Sequence, residues 1–402
     1  MFNILSRRGL PIYGTFFLWS FGTGANQLAR PLFAASFGVP LALVALVTAS
    51  NSLSHLLTGP VTGYAMDQWG RKPLLILGLI LRGGSLFLEF FATSYPQYLA
   101  LEFIGGVGVA IWGTGASVLI ADLSVRENRG RALAVRGMAT RLGAIAGPMV
   151  GAGIAAAFDL RTIFLFNGFT KVVILAMVLR LVGETRPEAA AEPARQRHGI
   201  AFDLLGQMFM NRPFLAIAAA TFAISMMHQG VFAAILPVYV TQEIGLSAPD
   251  VGTLITLAAA ISLVVSFPNG YLVDTFGRKS TLVPGLGVLA VAAYLLAISG
   301  DHASIVVMVL VYGLGEGICM GASQAYAMDL APEDRRGSFL GVWSLLQNIG
   351  GITAPLLLGL VAEELGFGPA FMAVAVTLLV VAAAMWAFAP DTTSRRRATS
   401  LT

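Results

Sequence analysis

Gly63-Tyr64-Ala65-Met66-Asp67-Gln68-Trp69-Gly70-Arg71-Lys72 is written a second time as Gly270-Tyr271-Leu272-Val273-Asp274-Thr275-Phe276-Gly277-Arg278-Lys279, and 270 minus 63 gives a shift of 207. Two further pairs keep that shift. Ala121-Asp122-Leu123 leading to Arg129-Gly130 is matched by Met328-Asp329-Leu330 leading to Arg336-Gly337, and Gly147-Pro148 falls on Ala354-Pro355. One constant offset over three separated segments identifies an internal duplication, and a repeat of this size decides the architecture before any single residue is read.

The rest of the chain has the composition of a bilayer protein. Of its 402 residues 56% are hydrophobic and only 11% charged, against about 25% charged in soluble domains. Apolar runs lie near 11–37, 41–66, 73–93, 97–121, 132–157, 162–182, 213–240, 251–273, 281–299, 304–328, 338–361 and 368–389. Each is long enough to cross a hydrocarbon core of about 30 Å as a helix. The expectation is therefore an all-α integral membrane protein with 12 transmembrane helices, arranged as two pseudo-symmetric six-helix bundles. Arg7-Arg8 before an apolar stretch has the form of a leader. That stretch continues through Asn26, Gln27 and Arg30, so a retained first helix is expected.

With the N-terminus inside, the cytoplasmic segments hold 20 Lys and Arg and the opposite side only Arg161. The positive-inside rule then puts both termini in the cytoplasm, and the net charge of +4 reflects topology rather than a nucleic-acid partner. The domains divide accordingly: 1–182 is an N-terminal bundle, 183–212 a cytoplasmic linker with an amphipathic stretch around Phe202–Met210, 213–390 a C-terminal bundle and 391–402 a basic cytoplasmic tail. Short loops elsewhere leave no room for a soluble catalytic domain. Cys319 is the single cysteine and the four histidines are scattered, so no disulfide framework and no metal site is expected. Gly105-Gly106-Val107-Gly108 and Gly313-Leu314-Gly315 lie inside apolar runs with no preceding strand and no Walker lysine. Helix packing through small residues explains them better than nucleotide binding.

Six plus six helices, with Gly-x-x-x-Asp-x-x-Gly-Arg-Lys between the second and third and again between the eighth and ninth, resemble the major facilitator superfamily. The resemblance covers nearly the whole chain. It implies two bundles that rock about a central cavity and expose it alternately to each side. Asp67, Arg71, Asp122 and Arg129, with Asp274, Arg278 and Asp329 in the second copy, are the expected gate. A carboxylate there can cap a neighbouring helix and pair with a guanidinium, and in the family such clusters hold the cytoplasmic side shut. Gly143, Gly147, Pro148 and Gly151 in the fifth run resemble the motif of 12-helix drug–proton antiporters. Glycines four apart make a smooth face, and Pro148 allows a bend. The chain departs from that motif at Ala152, where a further Gly is usual.

Ionisable groups at membrane depth are candidate functional residues. Arg30 and Glu102 lie roughly 12 Å and 8 Å inside the outer ends of the first and fourth helices at about 1.5 Å per residue, and the resemblance makes both helices cavity-lining. Compared with family antiporters the two signs look exchanged. Burial and a facing guanidinium act in opposite senses on the protonation of Glu102, so small rearrangements would change it and release Arg30 toward an anionic solute. A permanent structural pair is the competing reading. Arg141 and its counterpart Asn348 (141 plus 207) form a polar pair expected to contact substrate. Glu316 is the alternative proton carrier, and His228 lies at similar depth. Arg82 and Glu89 share a face of the third run and Lys171 lies in the sixth. The resemblance makes these helices peripheral, so a network behind the cavity helices is expected.

The functional expectation is a secondary active transporter and not an enzyme: a proton-coupled exporter of an amphipathic or anionic small organic solute. The alternatives are a proton-linked importer or facilitator of a small anionic metabolite, or a lipid-handling transporter. The proton gradient drives it without a cofactor. The expected setting is a monomer in the lipid bilayer of a bacterial cytoplasmic (inner) membrane. Asp67→Asn is expected to destabilise outward-facing states, measured as changed cysteine-accessibility labelling of the cavity; unchanged labelling would remove the gate role.

Overall fold

A computed structural model describes residues 10–123, 129–182, 208, 210–319, 322–331 and 336–390. The region 183–207 of the expected linker, with Phe202 of its amphipathic stretch, and the tail 391–402 lie outside the described residues. Among the described residues every regular element is a helix. They run α1 (Leu10–Ala35), α2 (Leu41–Trp69), α3 (Arg71–Phe90), α4 (Tyr95–Leu123), α5 (Arg129–Ala157), α6 (Leu160–Leu181), α7 (Arg212–Ser225), a π-helical segment (Met226–Ile235), α8 (Leu236–Gln242), α9 (Ala248–Phe276), α10 (Arg278–Ala297), α11 (His302–Cys319), α12 (Ala322–Leu330), α13 (Arg336–Leu365) and α14 (Phe367–Phe388).

The duplication reappears in the helix boundaries. Adding 207 to Leu41–Trp69, Arg71–Phe90 and Leu160–Leu181 gives the bounds of α9, α10 and α14. The turns repeat as well. Gly70 and Gly277 end α2 and α9 at φ 92° and 97°, and Gly38 and Gly245 turn the chain at φ 68° and 78°. A Cβ is disfavoured in this left-handed region, so both copies keep glycine there. At α6 the copies differ. Asp159 caps its first turn by accepting from the Thr162 N–H at 2.8 Å, and the bonds from Thr162 hold its carboxyl below the usual carboxylate range.

Ten helices are long and apolar enough to cross a membrane among the described residues, so the chain is an integral multi-pass membrane protein. α1 and α5, two of the twelve expected spans, do not qualify on apolarity. α1 carries Asn26, Gln27 and Arg30, and α5 carries Arg129, Arg131, Arg136 and Arg141. The described chain falls into two compact units, the first holding α1–α6 together with Ser247–Thr256 of α9 and the second the remainder.

In the first unit α1 and α5 meet backbone to backbone. A Cβ built on Gly143, Gly147 or Gly151 would fall on the carbonyl oxygen of Phe17, Phe21 or Ala25 in turn. The glycine row and the carbonyl row both step by four residues, so one turn of α5 lies in register on one turn of α1. Gly24 returns the contact against Pro148 and Ala144. Ala152 faces Gly252, where a Cβ would stand 2.6 Å away, so the glycine absent from the α5 motif is supplied by α9. A second packed layer, formed by Tyr13, Phe16, Leu75, Trp112, Ile120 and Ile174, joins α1, α3, α4 and α6.

In the second unit the π-helical segment is an unexpected break in the seventh run. Its ten residues shift the register of α8 relative to a continuous α-helix, and Gly230 within it lies against Ala354 and Leu358 of α13. The prediction from the α1–α5 seam is specific. Gly147→Ala should lower stability by about 1–3 kcal/mol, the usual cost of overpacking, measured by thermal unfolding in detergent. Gly153→Ala, on the same helix with open space beside it, should be neutral.

Candidate functional site

The structure brings Arg30 and Glu102 together. Arg30 reaches from α1 with Nε and Nη2, each 2.9 Å from a carboxylate oxygen of Glu102 on α4. This is the bidentate fork that guanidinium geometry favours. Nη2 also donates to Val47 O at 3.3 Å. Arg82 on α3 approaches the same carboxylate from behind, its Nη1 3.3 Å from Glu102 Oε2 and 3.3 Å from Glu89 Oε1. Arg30–Glu102–Arg82–Glu89 is thus a chain of alternating charges. The Arg30 side chain is 17% exposed, Arg82 5%, and both carboxylates are fully buried. The Tyr98 hydroxyl donates to Glu102 Oε1 at 3.3 Å.

Small residues and aromatic rings make room for this chain and close it off. A Cβ on Gly105 would fall on Arg82 Nη1 and Ser85 Oγ, so glycine one turn after Glu102 lets the guanidinium pass. Gly108 and Gly78 bring α4 and α3 to backbone contact beside it. Tyr98, Phe33 and Phe164 pack edge to face, with Phe33 4.9 Å from Tyr98 and 5.2 Å from Phe164. The expected network of Arg82, Glu89 and Lys171 is therefore divided. Arg82 and Glu89 join Arg30 and Glu102. Lys171 instead donates to Asn167 Oδ1 at 2.9 Å and Trp19 O at 3.3 Å, and its ammonium lies 4.4 Å from the Trp19 ring centroid. Oxygen dipoles and a π face stand in for a counter-ion there.

The second unit holds its own pair. His228, in the π-helical segment, places Nδ1 2.9 Å from Glu316 Oε1 and 2.7 Å from the Tyr312 hydroxyl. Phe232 stacks on Tyr312 at 4.1 Å. The pair lines a cavity of about 230 Å³ whose wall mixes Ile224, Met227, Leu289 and Cys319 with Ser225, Gln229, Ser323 and Gln347. Residue types alone leave His228 and Glu316 as separate candidates, and they do not single out the tyrosines. The spacing does carry a signal for these: Tyr98 precedes Glu102 by four residues and Tyr312 precedes Glu316 by four, neighbours on a helix face.

Of the gate residues, Arg278 Nε and Asp329 Oδ2 stand 3.3 Å apart. The side chains of Asp67, Asp122, Arg129 and Asp274 lie outside the described residues. Lys72 donates to Leu179 O at 3.1 Å, tying the start of α3 to the end of α6. Arg141 on α5 and Asn348 on α13 are half-buried, one in each unit.

A multi-pass helical protein with buried charges in each half has the form of a transporter, and the comparisons with known proteins agree. The profile of the Major Facilitator Superfamily matches residues 12–228 and 220–401. The chain belongs to this superfamily of secondary transporters and is not an enzyme. It is 23% identical over 323 residues to Multidrug resistance protein 1 of Bacillus subtilis, with 80% of each chain covered. It is 22% identical over 370 residues to Quinolone resistance protein NorA of Staphylococcus aureus, covering 91% of this chain and 93% of that one. The crystal structure of a D-xylose–proton symporter superposes with a TM-score of 0.76 over 95% of this chain and 98% of that chain, at 18% identity, a likeness of fold.

Removing one member of the ion chain tests its geometry. Glu102→Ala leaves two buried guanidinium groups facing a void and should cost about 3–5 kcal/mol. Glu102→Gln, which still accepts hydrogen bonds, should cost clearly less. The thermal midpoints of the two variants in detergent give the comparison.

Proposed function

We propose that this protein is a proton-coupled exporter that works by alternating access and exchanges protons for an amphipathic organic solute. In this reading α1 and α5 join the ten apolar helices to give twelve spans as six plus six, with both ends in the cytoplasm of a bacterial cell and the bundles acting as a monomer. The carrying observation is the His228–Glu316 pair on the wall of a half-apolar cavity. Such a wall suits a solute with a greasy body and a cationic end. A solute ammonium and a proton would compete for the Glu316 carboxylate. Mutual exclusion at one group is what exchange requires.

The driving force is adequate without a cofactor. One pH unit supplies about 1.4 kcal/mol, and 100 mV about 2.3 kcal/mol per charge. The α5 glycine seam and the similarity to drug-resistance proteins support the direction. A second reading, cotransport of a proton with a small anion, is favoured by one observation: Arg30 is the exposed end of the buried ion chain.

The test is reconstitution in liposomes that enclose a pH-sensitive dye. Adding tetraphenylphosphonium, a lipophilic cation, should drive protons in the opposite direction, and Glu316→Gln should abolish that movement. Proton movement only with organic anions would favour the second reading. No proton movement with either class would overturn proton coupling.

A further inference from the structure

Nothing in the fold requires the ion chain. Adding 207 to Arg30, Arg82, Glu89 and Glu102 gives Pro237, Leu289, Leu296 and Val309. The last three are 0–1% exposed, so the second copy fills the same places with packed apolar side chains. Replacing a buried ion pair by such a filling is often neutral or stabilising. The four charges in the first copy are therefore kept for something other than packing.

Their geometry is that of a relay. Arg30 closes on Glu102 at 2.9 Å, a full charge-assisted contact. Arg82 is divided, 3.3 Å from each of two carboxylates, beyond the roughly 2.7–2.9 Å of a full contact. Arg30 Nη2 and Arg82 Nη1 also share one oxygen, Glu102 Oε2. Glu89 Oε2 has no hydrogen-bond partner although the residue is fully buried. Glu89 is also the penultimate residue of α3, two residues before the exposed Phe91, at the end of the helix opposite Arg71-Lys72.

We infer that Glu89 is a proton-binding site, distinct from His228–Glu316, and that its protonation is passed through Arg82 and Glu102 to loosen Arg30. With Glu89 ionised, Arg82 is held between the two carboxylates and Arg30 has first claim on Glu102. A proton on Glu89 removes one attraction on Arg82. Arg82 then closes on Glu102 Oε2 and competes with Arg30 Nη2 for that atom. The released Arg30 guanidinium adds a positive charge at the exposed end of the chain. Cations are repelled there and anions attracted. The same relay therefore opposes protons to cationic solutes and pairs them with anionic ones, so the charge of the solute sets the sign of coupling. This deepens the proton-coupled reading above and rests on it: under exchange, the exported amphipath is a cation. The groups acting on Glu89 are Arg82 and the Ser85 hydroxyl on its own helix, Glu102 and Tyr98 on α4 and Arg30 on α1. From α6, Lys171 acts on Arg82. The titratable groups on α2 are His55, Tyr64 and Asp67; His55 lies beside Gly113, about 16 Å along α4 from Glu102 at 1.5 Å per residue.

Two measurements on the full-length protein test this without a solute. Acidification of the wild type should produce an infrared band of a buried protonated carboxyl group. Glu89→Gln should remove one component of that absorption, a component that Glu102→Gln and Glu316→Gln both keep; an acid-induced spectrum in Glu89→Gln identical to that of the wild type overturns the proton site. At fixed neutral pH, phenylglyoxal should modify Arg30 several-fold faster in Glu89→Gln, which mimics the protonated acid. In Glu89→Asp, which restores the charge, the rate should return to that of the wild type. Equal Arg30 labelling in the wild type and Glu89→Gln, or fast labelling in Glu89→Asp as well, overturns the relay. Failure of the export reading is recognised separately, in wild-type liposomes that move no protons when tetraphenylphosphonium is added.

Discussion

A carboxylate at membrane depth must be neutralised or paired, and the first unit is organised around Glu102 because of it. An isolated ionised carboxyl in a low-dielectric interior costs far more than any one contact returns. Glu102 is fully buried and has two guanidinium groups and a phenol around it. Meeting that demand fixes neighbours on three helices. Arg30 sets the height of α1 against α4, and Arg82 sets α3. The absent side chain at Gly105 leaves the space that the Arg82 guanidinium takes. Phe33 and Phe164 pack on Tyr98, which reaches the same carboxylate.

The α1–α5 seam places Arg30 where Glu102 can use it. Backbone contact at Phe17, Phe21 and Ala25 leaves little freedom to slide, because every residue along the row meets a glycine or a carbonyl. Interiors packed this closely switch between arrangements rather than deform smoothly. A seam of this kind suits a bundle that moves as a rigid body. The ion chain carries the adjustable element, since Arg82 has two half-made contacts in place of one complete contact.

Much of this was legible in the residues. The doubled phrase gave the repeat, and the helix bounds of α2, α3 and α6 recur at the same offset of 207. Arg30 and Glu102 could be matched because two groups at similar depth on neighbouring helices have few other partners. Arg82 and Glu89 could be put on one face by their spacing, but which helix that face meets depends on tertiary rotation about the α3 axis, which spacing does not encode. The π-helical segment left no local mark beyond Gly230, because it arises from packing on α13.

The two halves are related by a displacement as well as a copy. Tyr-x-x-x-Glu occurs as Tyr98–Glu102 and Tyr312–Glu316, and 312 minus 98 is 214, seven more than the repeat. Seven residues are two turns of helix, so the second acid keeps the face of the first but lies about 10 Å further along its helix. A duplicated bundle that kept its acid at the original depth would present the same protonation chemistry twice at one level. Displacement by two turns leaves the face to be packed as before and changes only the depth at which the acid is met. Glu102 is then enclosed by two arginines, while Glu316, 18% exposed and facing a histidine, lines an open cavity. Divergence in the depth of one acid thus separates a group buried among counter-ions from a group on the wall of a cavity.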